Sequence, residues 1–107
     1  MYHFHEGYPV ITAIVRFPLP ASVTADQYRE MCRHAAPDFR KPAGLLSKQF
    51  LLAEDGRGGG GVYLWESREA AEAFYTAGFR ALIRERFGVE PQITYFETPV
   101  VVDNRAA

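Results

Sequence analysis

Residues 60–87, GGVYLWESREAAEAFYTAGFRALIRERF, decide how the rest of the chain is read. The stretch opens as a strand, turns on Ser67 and continues as a helix. Side chains alternate along a pleated strand, so Val62 and Leu64 point to one side and Tyr63 and Trp65 to the other. The two largest side chains of the strand are therefore neighbours on one face, as a ligand wall or as a packed interface. Ser67 is the expected N-cap, with Glu69 in the first turn, where the helix dipole favours an anion. Ala71, Phe74 and Tyr75 make a buried stripe. Gly78 is expected to break or kink the helix. Phe79, Leu82, Ile83 and Phe87 resume a helical period, and Gly88 is a natural C-terminal stop.

Upstream, residues 10–17 (VITAIVRF) are β-branched and apolar with little alternation, which suits a central strand covered on both faces. Pro18 and Pro20 end it, because proline cannot extend a hydrogen-bonded ladder. Thr24 and Gln27 fit a capping box at the start of a first helix. Its apolar stripe is Tyr28, Met31, Cys32 and Ala35, with Arg29, Glu30 and Arg33 facing away and Pro37 closing it. Residues 38–44 read as a loop containing Phe39 and Pro42. Residues 45–53 read as a second strand, and the glycine-rich residues 54–60 as the connection to a third, which makes an antiparallel hairpin. Residues 92–102 form the last strand, with Pro99 at an edge or bulge. Residues 1–9 show no clear period, and residues 103–107 form a polar tail.

The order is β-α-β-β-α-β, an α+β fold of the ferredoxin-like kind: one four-stranded antiparallel sheet with both helices on one face. The other face still carries apolar side chains, and a second copy of the chain is the simplest cover for it. A length of 107 residues fits one domain spanning 1–107, with a core over about 10–102. Hydrophobic residues make up 48% and charged residues 23%, an ordinary globular balance. The 14% of aromatic residues is more ring surface than so thin a core needs, which suggests a pocket or an interface. A net charge of −1 offers no concentrated basic patch for nucleic acid or an anionic membrane. No apolar run is long enough to span a bilayer. The first residues, MYHFHEGYPV, lack the basic-then-apolar order of a signal peptide, so the cytoplasm is the expected compartment.

The candidate sites carry unequal weight. Residues 58–61 are four glycines, but a phosphate cradle needs a strand before it and a helix after it. Here a strand follows, and a flexible hairpin loop is the better account. His3, His5 and Glu6 are metal-ligand types, yet a site needs more ligands than a terminal pair of histidines supplies, and no metal is expected. Cys32 lies in the apolar helix stripe and reads as a small buried hydrophobe, with His34 facing elsewhere. Arg16 reads as an exposed strand-end residue rather than an anion clamp. Lys48 is more informative. In LLSKQFLLA, Leu46, Lys48, Phe50 and Leu52 share one face by alternation, so the lysine either snorkels from the rim or reaches into a pocket. A pocket lysine can hold a phenolate or carboxylate, or lower the pKa of a bound hydroxyl.

Three segments carry a family resemblance: GLLSKQF at residues 44–50, GGVYLW at 60–65 and SREAAEAF at 67–74, with TPVVVDN at 98–104 similar too. Together they resemble the YdhR-type monooxygenases of the dimeric α+β barrel superfamily, alongside the antibiotic biosynthesis monooxygenases. The resemblance covers about residues 10–104. It implies two four-stranded sheets facing each other in a homodimer, with helices outside and ligand cavities between sheet and helices. Trp65, Ser67 and Ala70 resemble that branch's strand-end Trp followed by a capped helix. A His often found in the following helix falls near Phe74 here and is absent.

The activity implied is oxygenation of a small electron-rich aromatic compound, phenol- or quinol-like, without metal, flavin or other cofactor. In that scheme Lys48 stabilises the substrate anion, Tyr63 and Trp65 position it, and Phe39, Phe50, Tyr75 and Phe79 form the apolar wall. The competing readings are a non-catalytic homodimer that binds a small apolar molecule as carrier or stress protein, an exposed-sheet interaction module, and a haem-degrading relative. The last would need His3, His5 or His34 as an axial imidazole.

Overall fold

The computed structural model describes the backbone of residues 2–4 and all of residues 10–105. In chain order the elements are β1 (Tyr2–Phe4), β2 (Val10–Pro18), α1 (Ala25–Ala35), a short 3-10 helix (Ala36–Arg40), β3 (Leu45–Leu52), β4 (Gly58–Trp65), α2 (Arg68–Phe74), α3 (Ala77–Phe87), β5 (Gln92–Thr98) and β6 (Val100–Val102). Strands β3-β4-β2-β5 form one antiparallel sheet in that order. The β-branched strand β2 is central, as its continuous apolar run requires. The fold is α+β and ferredoxin-like, with an extra two-stranded pair, β1 with β6. Residues 1–9 carried no expected element; Tyr2–Phe4 nevertheless runs antiparallel to Val100–Val102.

The inner face of the sheet follows the alternation. Ala13, Val15, Phe17, Tyr63 and Trp65 are buried in one cluster with Tyr28, Ala71, Tyr75 and Phe87 from the helices. Thr24 caps α1 through the expected reciprocal pair: its hydroxyl accepts from the Gln27 N–H at 3.1 Å, and the Gln27 side chain accepts from the Thr24 N–H at 2.9 Å. Ser67 caps α2 by accepting from the Ala70 N–H.

Five local expectations change. The glycines at 58–61 are not a hairpin loop but the first half of strand β4, paired to β2 and β3; the connection is residues 53–57. At Gly60 φ is +150° and a Cβ would collide with the Val15 carbonyl oxygen, so only glycine fits this crowded pairing. The Tyr28 hydroxyl lies over the same residue, accepting from the Gly60 N–H at 2.9 Å. The helix that follows Trp65 is two helices, and the break falls at Tyr75 and Thr76 rather than at Gly78. Thr76 takes an extended conformation and caps α3 by accepting from the Phe79 N–H. The residues after Pro37 are a 3-10 turn through Arg40 that carries Phe39 inward, with the proline at its start. Pro99 separates β5 from β6, which join different partners. Finally, Leu46 does not share the face of Lys48. The ladder shifts by one residue between Leu45 and Ser47, so Leu45 turns inward opposite Trp65 and Leu46 outward.

Candidate active site: a lysine in an aromatic cavity

Strands β3 and β4 place Lys48 opposite Tyr63, on the face that looks toward the helices. Gly61, two residues before Tyr63, gives the lysine its path, since a Cβ there would lie 3.0 Å from the Lys48 Cε. The side chain runs inward. Its Nζ lies 3.2 Å from the centre of the Phe39 ring, 3.8 Å from Phe50 and 4.5 Å from Tyr63. Phe39 arrives from the 3-10 turn and meets Phe50 edge to face at 5.4 Å. No carboxylate pairs with Lys48 among the described residues.

These groups wall a cavity of about 310 Å³ between the sheet and the helices. Tyr28, Met31 and Cys32 contribute from α1, and Phe79, Ile83 and Phe87 from α3. Of the residues expected at the site, Lys48, Tyr63, Phe39, Phe50 and Phe79 come together on this wall. Trp65 and Tyr75 do not reach it. Trp65 is fully buried behind Tyr63, their ring planes 4° apart, and its Nε1 donates to the Tyr75 hydroxyl at 3.1 Å. The stripe of α1 was legible as an apolar face, but nothing in its spacing says that part of that face borders empty space. Arg86, also on the wall, gave no signal at all.

The electrostatics follow from burial. Burial pushes the Lys48 ammonium down from 10.5 to about 7, with the nearby Cys32 sulfur acting weakly the other way. The three ring faces also oppose that fall, because their quadrupoles attract the charged form. Burial likewise holds the phenols of Tyr63, Tyr28 and Tyr75 protonated well above their ordinary range. For Tyr28 the Gly60 backbone offsets part of this, and for Tyr75 the Trp65 hydrogen bond does. The cavity thus presents one titratable amine near neutrality among rings and neutral phenols. Such an amine can take a proton from a bound hydroxyl and then hold the resulting anion.

His34 is exposed and off the cavity wall, so no described imidazole faces the space. His5 and Glu6, and the side chain of His3, lie outside the described residues. Among the described residues no group of three His, Cys, Asp or Glu side chains is arranged to hold a metal. Arg16 is exposed on β2, as read from the sequence. No described helix is long and apolar enough to cross a membrane.

Known structures share this architecture. The chain is similar to a monooxygenase from the gene ActVA-Orf6 of Streptomyces coelicolor, solved with the ligand Nanaomycin D: 20% identity over 88% of this chain and 91% of that one, TM-score 0.64. A protein of unknown function from Nitrosomonas europaea superposes with a TM-score of 0.71 at 13% identity, covering 94% of this chain and 98% of that one. A mutant form of SnoaB, a cofactor-independent oxygenase from Streptomyces nogalater, gives 15% identity over 83% of this chain and 92% of that one, TM-score 0.60. At these identities the likeness is one of fold. No curated protein sequence matches the chain. Residues 13–98 match the family described as "Putative mono-oxygenase ydhR", and the chain belongs to that family.

Proposed function

We propose that this chain is a homodimeric oxygenase that inserts oxygen into a small phenol- or quinol-like compound without metal or flavin. The observation that carries the reading is the aromatic cavity with the Lys48 amine at its wall. Neutral Lys48 takes the proton of the bound hydroxyl, and the ammonium so formed holds the oxyanion at close range among apolar rings. The anion gives one electron to dioxygen, and the superoxide recombines at a ring carbon bearing hydrogen. The hydroperoxide then loses water, leaving a carbonyl, so that one phenol and one dioxygen become one quinone and one water. Tyr63, Phe39, Phe50 and Phe79 set the plane of the ring by contact, and Trp65 and Tyr75 act behind Tyr63 by fixing its position. Further support comes from the family match and from the oxygenases that share the fold. The dimer is supported by the apolar outer face of the sheet, where Leu46, Phe96 and their neighbours are exposed.

The test is oxygen uptake by the purified protein over a panel of quinols. The parent is expected to consume oxygen with at least one of them. Lys48→Met should lose roughly 10²-fold or more of the rate, the usual scale for a positioned proton acceptor. Trp65→Phe, which keeps an aromatic ring but not the N–H, should lose less. Equal rates for parent and both variants would remove these roles. Tight binding across the panel with no uptake would instead make the protein a small-ligand-binding homodimer.

A further inference from the structure

The chain has two lysines, and their settings differ sharply. The Lys41 side chain is 81% exposed, with the Asp38 carboxylate 3.8 Å away. Lys48 sits inside the cavity wall with three ring faces about its Nζ and no paired carboxylate among the described residues. Asp38 also borders the cavity, but its carboxylate is turned to Lys41. An amine that is desolvated and has no carboxylate partner is the kind that acts as a nucleophile toward carbonyl carbon.

We propose that Lys48 captures small apolar aldehydes, one-ring aromatic ones above all, as a Schiff base within the cavity. The nitrogen lone pair forms the C–N bond while the carbonyl π pair moves to oxygen, which receives the proton released by nitrogen. The carbinolamine then loses water, leaving a C=N bond and one water per aldehyde. No oxidant or reductant takes part. The cavity favours each stage. Its volume of about 310 Å³ is at the small end of ligand pockets, suited to a single ring. Its rings stack on an aromatic aldehyde and on the imine that replaces it. Burial of the amine leaves a large share of it unprotonated at neutral pH, whereas an ordinary lysine is unprotonated in roughly one molecule in 10³. The capture shares the cavity with the oxygenation proposed above but does not depend on it.

The experiment treats the parent protein with benzaldehyde and sodium borohydride under nitrogen. Hydride adds to the imine carbon and fixes a benzyl group of known mass, and peptide mapping separates Lys48 from Lys41 and from the α-amino group. At pH 7 labelling of Lys48 is expected to exceed that of Lys41 by about tenfold or more, a ratio below the full difference in free amine because a less basic amine is also a weaker nucleophile. The ratio should fall toward one above pH 10, and in 8 M urea at any pH. Equal labelling at pH 7, faster labelling of Lys41, or a Lys48 preference that survives urea would each overturn the proposal. Because oxygen is excluded, failure of the quinol assay leaves this result untouched, and the reverse also holds.

Discussion

At the scale of single residues, Lys48 is where fold stability and the proposed chemistry meet. Its pKa lies near 7 in the folded chain and near 10.5 when exposed, so the unfolded chain holds a proton that the folded chain has released between those values. Stability therefore rises with pH from about 7 toward 10.5, and below pH 7 the full cost of burying the ammonium is present. The buried phenols act with the opposite sign at higher pH. Tyr28, Tyr63 and Tyr75 keep their protons in the fold, so stability falls again once the unfolded phenols ionise, above about pH 10. The parent is thus expected to show a stability maximum between these limits. Lys48→Met keeps the bulk and removes the charge. Urea unfolding at pH 7 should find it more stable than the parent by at least about 1 kcal/mol, with no rise between pH 7 and 9. A Lys48→Met midpoint at or below that of the parent at pH 7 would mean that the ring faces compensate the buried ammonium in full.

At the scale of elements, the segment after Trp65 shows how two short helices take the place of one. Tyr75 ends α2 and is held by the Trp65 indole, and Thr76 restarts the chain as a cap. Thr76→Ala removes the side-chain acceptor for the Phe79 N–H and should cost about 1 kcal/mol in thermal or urea unfolding. Gly78→Ala, in the first turn of α3 and exposed, should instead be neutral or stabilising, since a Cβ there meets only the Thr76 hydroxyl at 3.5 Å. The reverse order of these two effects would place the helix break at Gly78 after all. The sequence carried whatever is local: the alternation that pairs Tyr63 with Trp65, the Thr24–Gln27 box, the Ser67 cap and the helix stripes. It did not carry what a neighbour imposes. The Leu46 bulge exists because Leu45 pairs with Trp65 and Ser47 with Leu64. The four glycines look flexible alone and become a strand only against the Val15 backbone and the Tyr28 hydroxyl. The cavity was legible only in part for a related reason. Met31 and Ile83 suit a filled core and a hollow one equally, whereas Lys48 breaks the apolar pattern and could be singled out.

At the scale of the whole molecule, the two faces of the sheet have different fates. The helices cover Ala13, Val15, Tyr63 and Trp65, and the alternate residues look the other way. Thr12 is opposite Phe96 on one side and Leu64 on the other, so these three form one row across the outer face. Phe96 is 47% exposed and Leu46 49%, more apolar surface than a monomer gains by showing. The β1–β6 pair stands apart from the main sheet, and the Cα radius of gyration, 14.6 Å, exceeds the roughly 13 Å of a compact chain this long. A second copy laid sheet to sheet would cover the row, and its two-fold symmetry would bring every outer residue into play twice. In such a dimer one charge introduced in the row would be felt twice, as two unpaired carboxylates in an apolar contact. Light scattering should find the parent at twice the mass of one chain down to low micromolar concentration, as expected for an interface of about 1,600 Å². Phe96→Glu should run at the mass of one chain over the same range with unchanged circular dichroism. Ala73→Glu, on the exposed side of α2, should remain paired. A parent that is monomeric at about 10⁻⁴ M, or a Phe96→Glu that stays paired, would leave the outer face for some other partner than a copy of this chain.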